Sequence, residues 1–487
     1  MKRVLVMISL SLFPRLLVAQ ELDLKALAGE DWYGLYLNGQ KMGFALSRLT
    51  VEEDGSVRLS QDAQFKVSQG GIPQDVRFTE ERLYAADGAL SWIHSEVADS
   101  PGTPKRFEAK AEGDQLVFRS ELAGRVVEQA LPKSRETLQD ALPHERLVAR
   151  KPKVGDAASF SRFEVVFATE ITGTSRIRGV EERIFDGAAT TVYEVETTET
   201  LPGGSQLTSV SIITQAGTLL EGRLGGNVVM RLEPKEVAQD VSYSNDVIVA
   251  NAAAVDKPIA DARERDSLRL ILHGPLEAAH LFNDDRQQIV PKNGGFEFTS
   301  RRVSLDGFDP APLPIENEVC RPWLEPTPFV QSDDPTLITK AREIVGEEKN
   351  SFEMVKRLTQ WVYENVHTTY SASLSNSLEV LQTLRGDCTE HSILFIGLAR
   401  AAGLPAREVA GLVYVGGARP AFYFHQWAKV WVGKWIDVDP TFNQPLADAT
   451  HIKLAEGDLL QQAQLIPIIG RIRVQLVEEH GDSAQAG

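Results

Sequence analysis

From Trp32 to about Leu232, apolar and polar residues alternate with a period of two in runs separated by glycine-containing turns, the pattern of strands with one buried face. The clearest run is WYGLYLNGQKMGFALSRLTV (32–51). It alternates on both sides of Asn38-Gly39, a dipeptide suited to the left-handed backbone of a two-residue hairpin turn. Asp54-Gly55, Gly70-Gly71, Asp87-Gly88, Asp186-Gly187 and Gly203-Gly204 punctuate similar runs. Two blocks, 68–93 and 200–224, align at an offset of about 130, each reading as a Gly-Gly turn, a strand, a glycine turn and a strand. Residues 20–234 are therefore predicted to form a duplicated antiparallel β module. It carries no constellation of reactive side chains, so its expected role is to position a substrate or bind a partner.

The periodicity then changes. Residues 235–330 predict one clear strand, Ser267–His273, and otherwise show the proline-rich composition of a connector, as in DPAPLPIENE and RPWLEPTP. Beyond 331 the pattern is helical. Asp334-Pro335 supplies an N-cap and a first-turn proline, and Asn350 with Glu353 caps a second helix with Phe352, Val355, Leu358 and Val362 on one face. The run CTEHSILFIGLARAAGLPAR (388–407) is apolar almost all round and stops at Gly403-Leu404-Pro405, which predicts a buried helix with Asp387 as its cap. FYFHQWAKVWVGKWIDVDPTF (422–442) predicts a strand hairpin. The expected fold class is α+β: the duplicated β module, a core over 331–450 with a cysteine-bearing helix on an antiparallel sheet, and a C-terminal strand and tail over 451–487.

The net charge of −17 is spread along the chain, which argues against nucleic acid or anionic lipid as a partner. The opening MKRVLVMISLSLFPRLLVAQ has a basic start, a short apolar stretch and a cleavage position after Ala19, the features of a signal peptide over 1–19. Its removal would leave a periplasmic or secreted protein with no membrane insertion. Two cysteines, Cys320 and Cys388, cannot build a disulfide scaffold. Cys320 is expected to be a small buried apolar residue, with a Cys320–Cys388 disulfide acting as an off-switch left open.

Cys388 falls in the first turn of its helix, where the partial positive charge of the helix end favours thiolate over thiol. A thiolate doing acyl chemistry needs a base, and the base an orienting group. On the strand 425–432, His425, Trp427, Lys429 and Trp431 share one face; on the return strand Trp435, Asp437 and Asp439 alternate with Ile436 and Val438. A two-residue turn at Gly433-Lys434 would put His425 and Asp439 on opposite faces. A three-residue loop, Val432 to Lys434, would pair Trp427 with Asp439 and make His425 its diagonal neighbour. His391, three residues beyond Cys388, is an alternative base, and Cys388, His391, His425 and Asp439 are ligand types that suit zinc.

RGDC (385–388), RAAGLPAR (400–407), HQWAKVWV (425–432) and WIDVDPTF (435–442) together resemble the transglutaminase-like superfamily. That resemblance implies a papain-like core in which Cys388 is the nucleophile, His425 the general base and acid, and Asp439 the residue orienting the imidazole, with Asp437 as the rival for the third role. Trp427 beside the base would contact substrate or exclude water. Lys429 stands where the family usually has an acidic residue. The chain does not match the calcium-binding animal crosslinkers, so no metal and no cofactor is implied. The tail, HIKLAEGDL and GRIRVQLVEE, resembles the end of exported bacterial members. The implied chemistry is attack of Cys388 on a carboxamide of a protein or peptide substrate in the cell envelope. The Cys388 backbone N–H and a second donor, with Gln382 and Tyr370 as candidates, would hold the oxyanion. Hydrolysis of the thioester is the expected outcome, with amine transfer (crosslinking) or a non-catalytic envelope binding protein as alternatives.

Overall fold

The computed structural model describes residues 22–69, 72–99, 104–242, 246–315, 317–369 and 374–477; the expected signal peptide, Gly70-Gly71 and Tyr370 lie outside them. The fold is α+β and divides into two compact units. One takes residues up to Val247 with 459–467, and the other takes 248–369, 375–458 and the segment from Ile468.

The first unit is a 14-stranded antiparallel sheet. Its first strand, Gly29–Leu37, pairs with its last, Val228–Leu232, through Tyr33↔Leu232 to Leu37↔Val228. From that seam the chain meanders outward on both sides, to Arg125–Pro132 on one and Ala157–Glu164 on the other. Asn38 and Gly39 form the predicted turn, with φ of 50° and 80°, the left-handed pair that such a hairpin requires. The two similar blocks take the same form: Ile72–Tyr84 then Leu90–Asp99 in one, Gln206–Thr214 then Leu219–Leu224 in the other. Strand alternation puts Val76, Phe78 and Tyr84 on the buried face of Ile72–Tyr84, and Glu80 and Arg82 with them.

The second unit is built on a nine-stranded sheet. Its strands run in the order Gln287–Lys292, Gly295–Arg301, Ser267–His273, Arg473–Leu476, Ala253–Val255, Ala421–Trp431, Ala406–Val415 and His451–Glu456, with Trp435–Val438 paired to Ala421–Trp431. The region of connector composition thus holds the expected strand Ser267–His273 and three more. A three-residue strand has no period to read, and Pro291 masks a run that turns out to be the sheet edge, where a proline costs no ladder bond. Asp334 and Asn350 cap the helices Pro335–Val345 and Ser351–Asn365 as the sequence predicts. On the second of these, Met354, Val355, Leu358 and Val362 are buried while Phe352 is only partly so. The helix Cys388–Ala401 is buried from Thr389 to Arg400, as an all-round apolar helix must be. No helix among the described residues is long and apolar enough to cross a membrane.

Candidate active site

The RGDC turn is shaped by a carboxylate. Asp387 accepts from Thr389 N (2.9 Å) through Oδ1, and Glu390 Oε2 accepts from Asp387 N (2.7 Å), closing a capping box. Gly386 has φ 151°, and a Cβ there would lie 2.2 Å from the Glu390 side chain, so only glycine lets that carboxylate dock. Ser392 Oγ donates to Gln426 O (2.9 Å), tying the cysteine helix to the histidine strand. Cys388 thereby sits partly exposed at a helix N-terminus, outside any disulfide.

The hairpin has the odd register. Trp431 pairs with Trp435, leaving the three-residue loop Val432 to Lys434. His425 and Asp439 then meet: His425 Nε2 lies 2.7 Å from Asp439 Oδ2. The Cys388 side chain is the ring's other polar neighbour and favours its charged form. With Nε2 taken by Asp439, Nδ1 is the nitrogen left for sulfur. Burial works against a charged ring, but Asp439 and then Cys388 outweigh it, and the pKa of His425 is raised to about 10. Burial would likewise push Asp439 up. His425 and His451 overcome it and hold this carboxylate well below its ordinary range.

Asp439 has four donors. Oδ2 faces His425 and also His451 Nε2 (2.8 Å), and Oδ1 accepts from Thr441 N (2.8 Å) and Phe442 N (3.3 Å). His451, fully buried, reaches with Nδ1 to Asp448 Oδ1 (3.2 Å), and Asp448 Oδ2 accepts from Arg263 Nη1 (2.9 Å). The line thus runs from Cys388 through His425, Asp439, His451 and Asp448 to Arg263. The sequence reading missed the last three. The one hint was the bare DATHI run (448–452), which has polar and ionisable residues where a strand would begin.

Asp437 is not the orienting residue in this arrangement. Its Oδ2 accepts from Arg286 Nε (3.0 Å) and Trp427 Nε1 (3.2 Å). Trp427 has no exposed surface and stacks near His425, with centroids 6.0 Å apart, so the expected substrate contact gives way to packing behind the base. Lys429 is balanced rather than free: it pairs with Asp284 (3.1 Å) and Glu456 (2.8 Å), which Lys453 also joins. His391 is turned away from a base's role, with Nδ1 at 2.7 Å from Asp387 O and Nε2 at 3.2 Å from Val366 O. That orientation also breaks up the zinc set weighed above. The set His425, Asp439 and His451 does converge. Its N–O distances of 2.7 and 2.8 Å are those of direct hydrogen bonds, and a zinc ion at about 2.0–2.2 Å from each ligand would need the rings to withdraw. Cys320 is buried, and both thiols are free. Gln382 lies exposed on the helix Ser377–Thr383.

Arg286, from the stretch of connector composition, locks this region: besides Asp437 it donates to His451 O (2.7 Å) and Gln287 Oε1 (3.0 Å) and is 3% exposed. Arg286→Leu would strand a buried carboxylate, so a loss of about 3–5 kcal/mol is expected in urea unfolding. A loss under about 1 kcal/mol would show that the cluster is hydrated and weak.

Residues 338–440 match the Transglutaminase-like superfamily. A stretch of 117 residues, 22% of this chain, is 30% identical to an uncharacterized protein of Haemophilus influenzae, of which it spans 31% of the length. The chain thus spans about a third of the length of the curated relative it matches. Among solved structures, a protein of Cytophaga hutchinsonii described as a candidate cysteine protease is similar over 43% of this chain and 83% of its own, at 18% identity and a TM-score of 0.30. A beta-barrel-like protein of Brucella abortus, from a domain of unknown function, is similar over 42% and 94%, at 12% identity and a TM-score of 0.34.

Proposed function

We propose, from the premise that residues 338–440 are a transglutaminase-like superfamily core, that this chain is a periplasmic or secreted thiol hydrolase of peptide or amide bonds. Cys388 is its nucleophile, His425 its general base and acid, and Asp439 the group that orients the imidazole. The observation that carries the reading is the order of Cys388, His425 and Asp439, in which the carboxylate is fully buried, the imidazole nearly so, and Cys388 at the helix end is the most exposed of the three.

The chemistry follows from that order. The Cys388 sulfur bonds to the substrate carbonyl carbon, and the carbonyl oxygen takes the negative charge beside the Cys388 N–H at the helix end. As the C–N bond breaks, the imidazolium of His425 gives its proton to the leaving amine, leaving a thioester and a neutral ring. That ring then takes a proton from water, whose oxygen attacks the thioester; the acid leaves and the thiolate–imidazolium pair is restored. Asp439 holds the ring in register throughout, since its other oxygen is fixed by two backbone N–H groups.

Water needs no binding site of its own, whereas transfer requires a subsite that holds an amine against competition from solvent. The deciding experiment offers purified protein a peptide library together with a fluorescent primary amine and reads the products by mass spectrometry. Cleaved peptides that depend on Cys388 and carry no amine are expected. Glutamine-dependent incorporation without cleavage would make the chain a transferase, and neither product, with Cys388 unreactive to iodoacetamide, would make it a binding protein.

A further inference from the structure

The inner face of the first unit is built with a gap in its middle. Rows across the sheet follow the register: Tyr33↔Ala45↔Ala63↔Phe78 on one side of the seam, and Met230↔Gly222↔Ser211 on the other. Ala45, Ser47, Ala63, Ser209, Ser211 and Gly222 are too small to fill the space between the sheet's faces, and they line a cavity of about 490 Å³. That size lies within the range of small-molecule sites, about 300–1,000 Å³. Much of the wall is apolar, with Leu35, Phe65, Phe78, Leu207, Leu224 and Val228. Several of these belong to a buried apolar cluster that also includes Leu460, Ala463 and Ile466.

The same wall holds charged side chains away from water, and they are not equally satisfied. Arg82 is fully engaged, by Glu80 (2.7 Å), Glu136 (2.7 Å) and Phe163 O (3.1 Å). Arg162, 4% exposed, spends only Nη2, on Glu199 (3.3 Å) and Glu164 (3.4 Å); its Nε and Nη1 have no protein partner. Glu80, 3% exposed, uses Oε1 on Arg82 and leaves Oε2 without one. Both residues line the cavity. An unmade hydrogen bond on a buried polar group costs about 1–3 kcal/mol, and more on a charged one. Two donors and an acceptor at the edge of an apolar chamber therefore mark where the polar end of a guest would be held.

Charge selects the guest. Two arginines, Arg82 and Arg162, face four carboxyl groups, Glu80, Glu136, Glu164 and Glu199, so a negative head would add repulsion to a site already rich in anions. An uncharged head can accept from Arg162 and donate to Glu80 without that penalty. We propose that the β unit binds a single acyl chain with an uncharged, hydroxyl-bearing ester head, its chain in the apolar chamber, its carbonyl on Arg162 and a hydroxyl on Glu80.

The test uses the full chain with the environment-sensitive dye 1-N-phenylnaphthylamine bound in the chamber and displaced by monopalmitoylglycerol, palmitate or hexadecyltrimethylammonium. Monopalmitoylglycerol should displace it at least about tenfold more effectively than either charged amphiphile. Arg162→Met should erase that preference while the dye still binds, and Ser211→Phe, which fills the chamber, should abolish dye binding with far-UV circular dichroism unchanged. Equal displacement by palmitate, no displacement at all, or unaltered dye binding by a folded Ser211→Phe would each overturn the proposal. Should either variant fail to fold, the order of the three amphiphiles on the unsubstituted chain decides alone.

Discussion

Cys388→Ala is expected to lower turnover by roughly 10⁴- to 10⁶-fold, the scale on which a nucleophile differs from the rest of its site, while leaving the protein folded. The side chain is partly exposed at the first residue of its helix, so its loss opens no core cavity. The capping box that starts the helix is made by Asp387 and Glu390, which the substitution does not touch. The unfolding free energy should therefore change by less than about 1 kcal/mol. In the unsubstituted protein, iodoacetamide at neutral pH should modify Cys388 and spare Cys320, whose thiol burial pushes up. A variant that keeps about a tenth of the activity, or alkylation falling mainly on Cys320, would remove Cys388 from the mechanism.

The parts of this site that the sequence discloses are those set by local rules. Asp387 before an apolar helix is a cap whatever surrounds it, and the parity of positions 425 and 439 limits the hairpin to an odd loop if the two side chains are to meet. Gly386 appears in the sequence only as half of a Gly-Asp turn; its reason, the Glu390 carboxylate lying against it, emerges from the folded helix. Arg263 and Arg286 could not be found this way. Each reaches its carboxylate across more than 150 positions, Arg263 to Asp448 and Arg286 to Asp437, out of a stretch whose prolines and short strands suggest a connector. No period or cap relates residues so far apart. In the β module, alternation located the buried face. It could not tell that Glu80 and Arg82, in phase with Phe78, would be buried with it, because charged residues at inward positions ordinarily break a strand prediction. The sequence makes Trp427 a neighbour of the base, which it is, but exposure depends on what covers a strand and not on its own pattern.

Asp439→Asn should separate orientation from simple support, because it moves a titration as well as a rate. In the unsubstituted protein the pKa of His425 is raised to about 10, so the imidazolium that protonates the leaving amine persists up to that pH and is lost as pH rises through it. Asp439 is the largest contribution raising it, and burial, which lowers it, is larger still. Without the carboxylate charge, burial dominates. The alkaline limb of turnover, near pH 10 in the original, should then move down by several units, and turnover at neutral pH should fall by about 10⁴-fold, as when an orienting aspartate is neutralised in a serine triad. Stability has two signed parts. The raised His425 contributes fully below its unfolded pKa of about 6.5 and loses that contribution as pH rises through about 10. The depressed Asp439 contributes above its unfolded pKa of about 3.9 and loses it as pH falls through the lower folded value. The variant should thus be less stable across the whole neutral range, because an amide oxygen replaces two carboxylate oxygens that serve His425, His451, Thr441 N and Phe442 N. His451→Gln removes one of those donors without touching the His425 contact, so it should cost stability and leave most of the turnover. If Asp439→Asn unfolds more easily yet keeps its alkaline limb near pH 10, the carboxylate only supports the fold, and another group must hold the charge on His425.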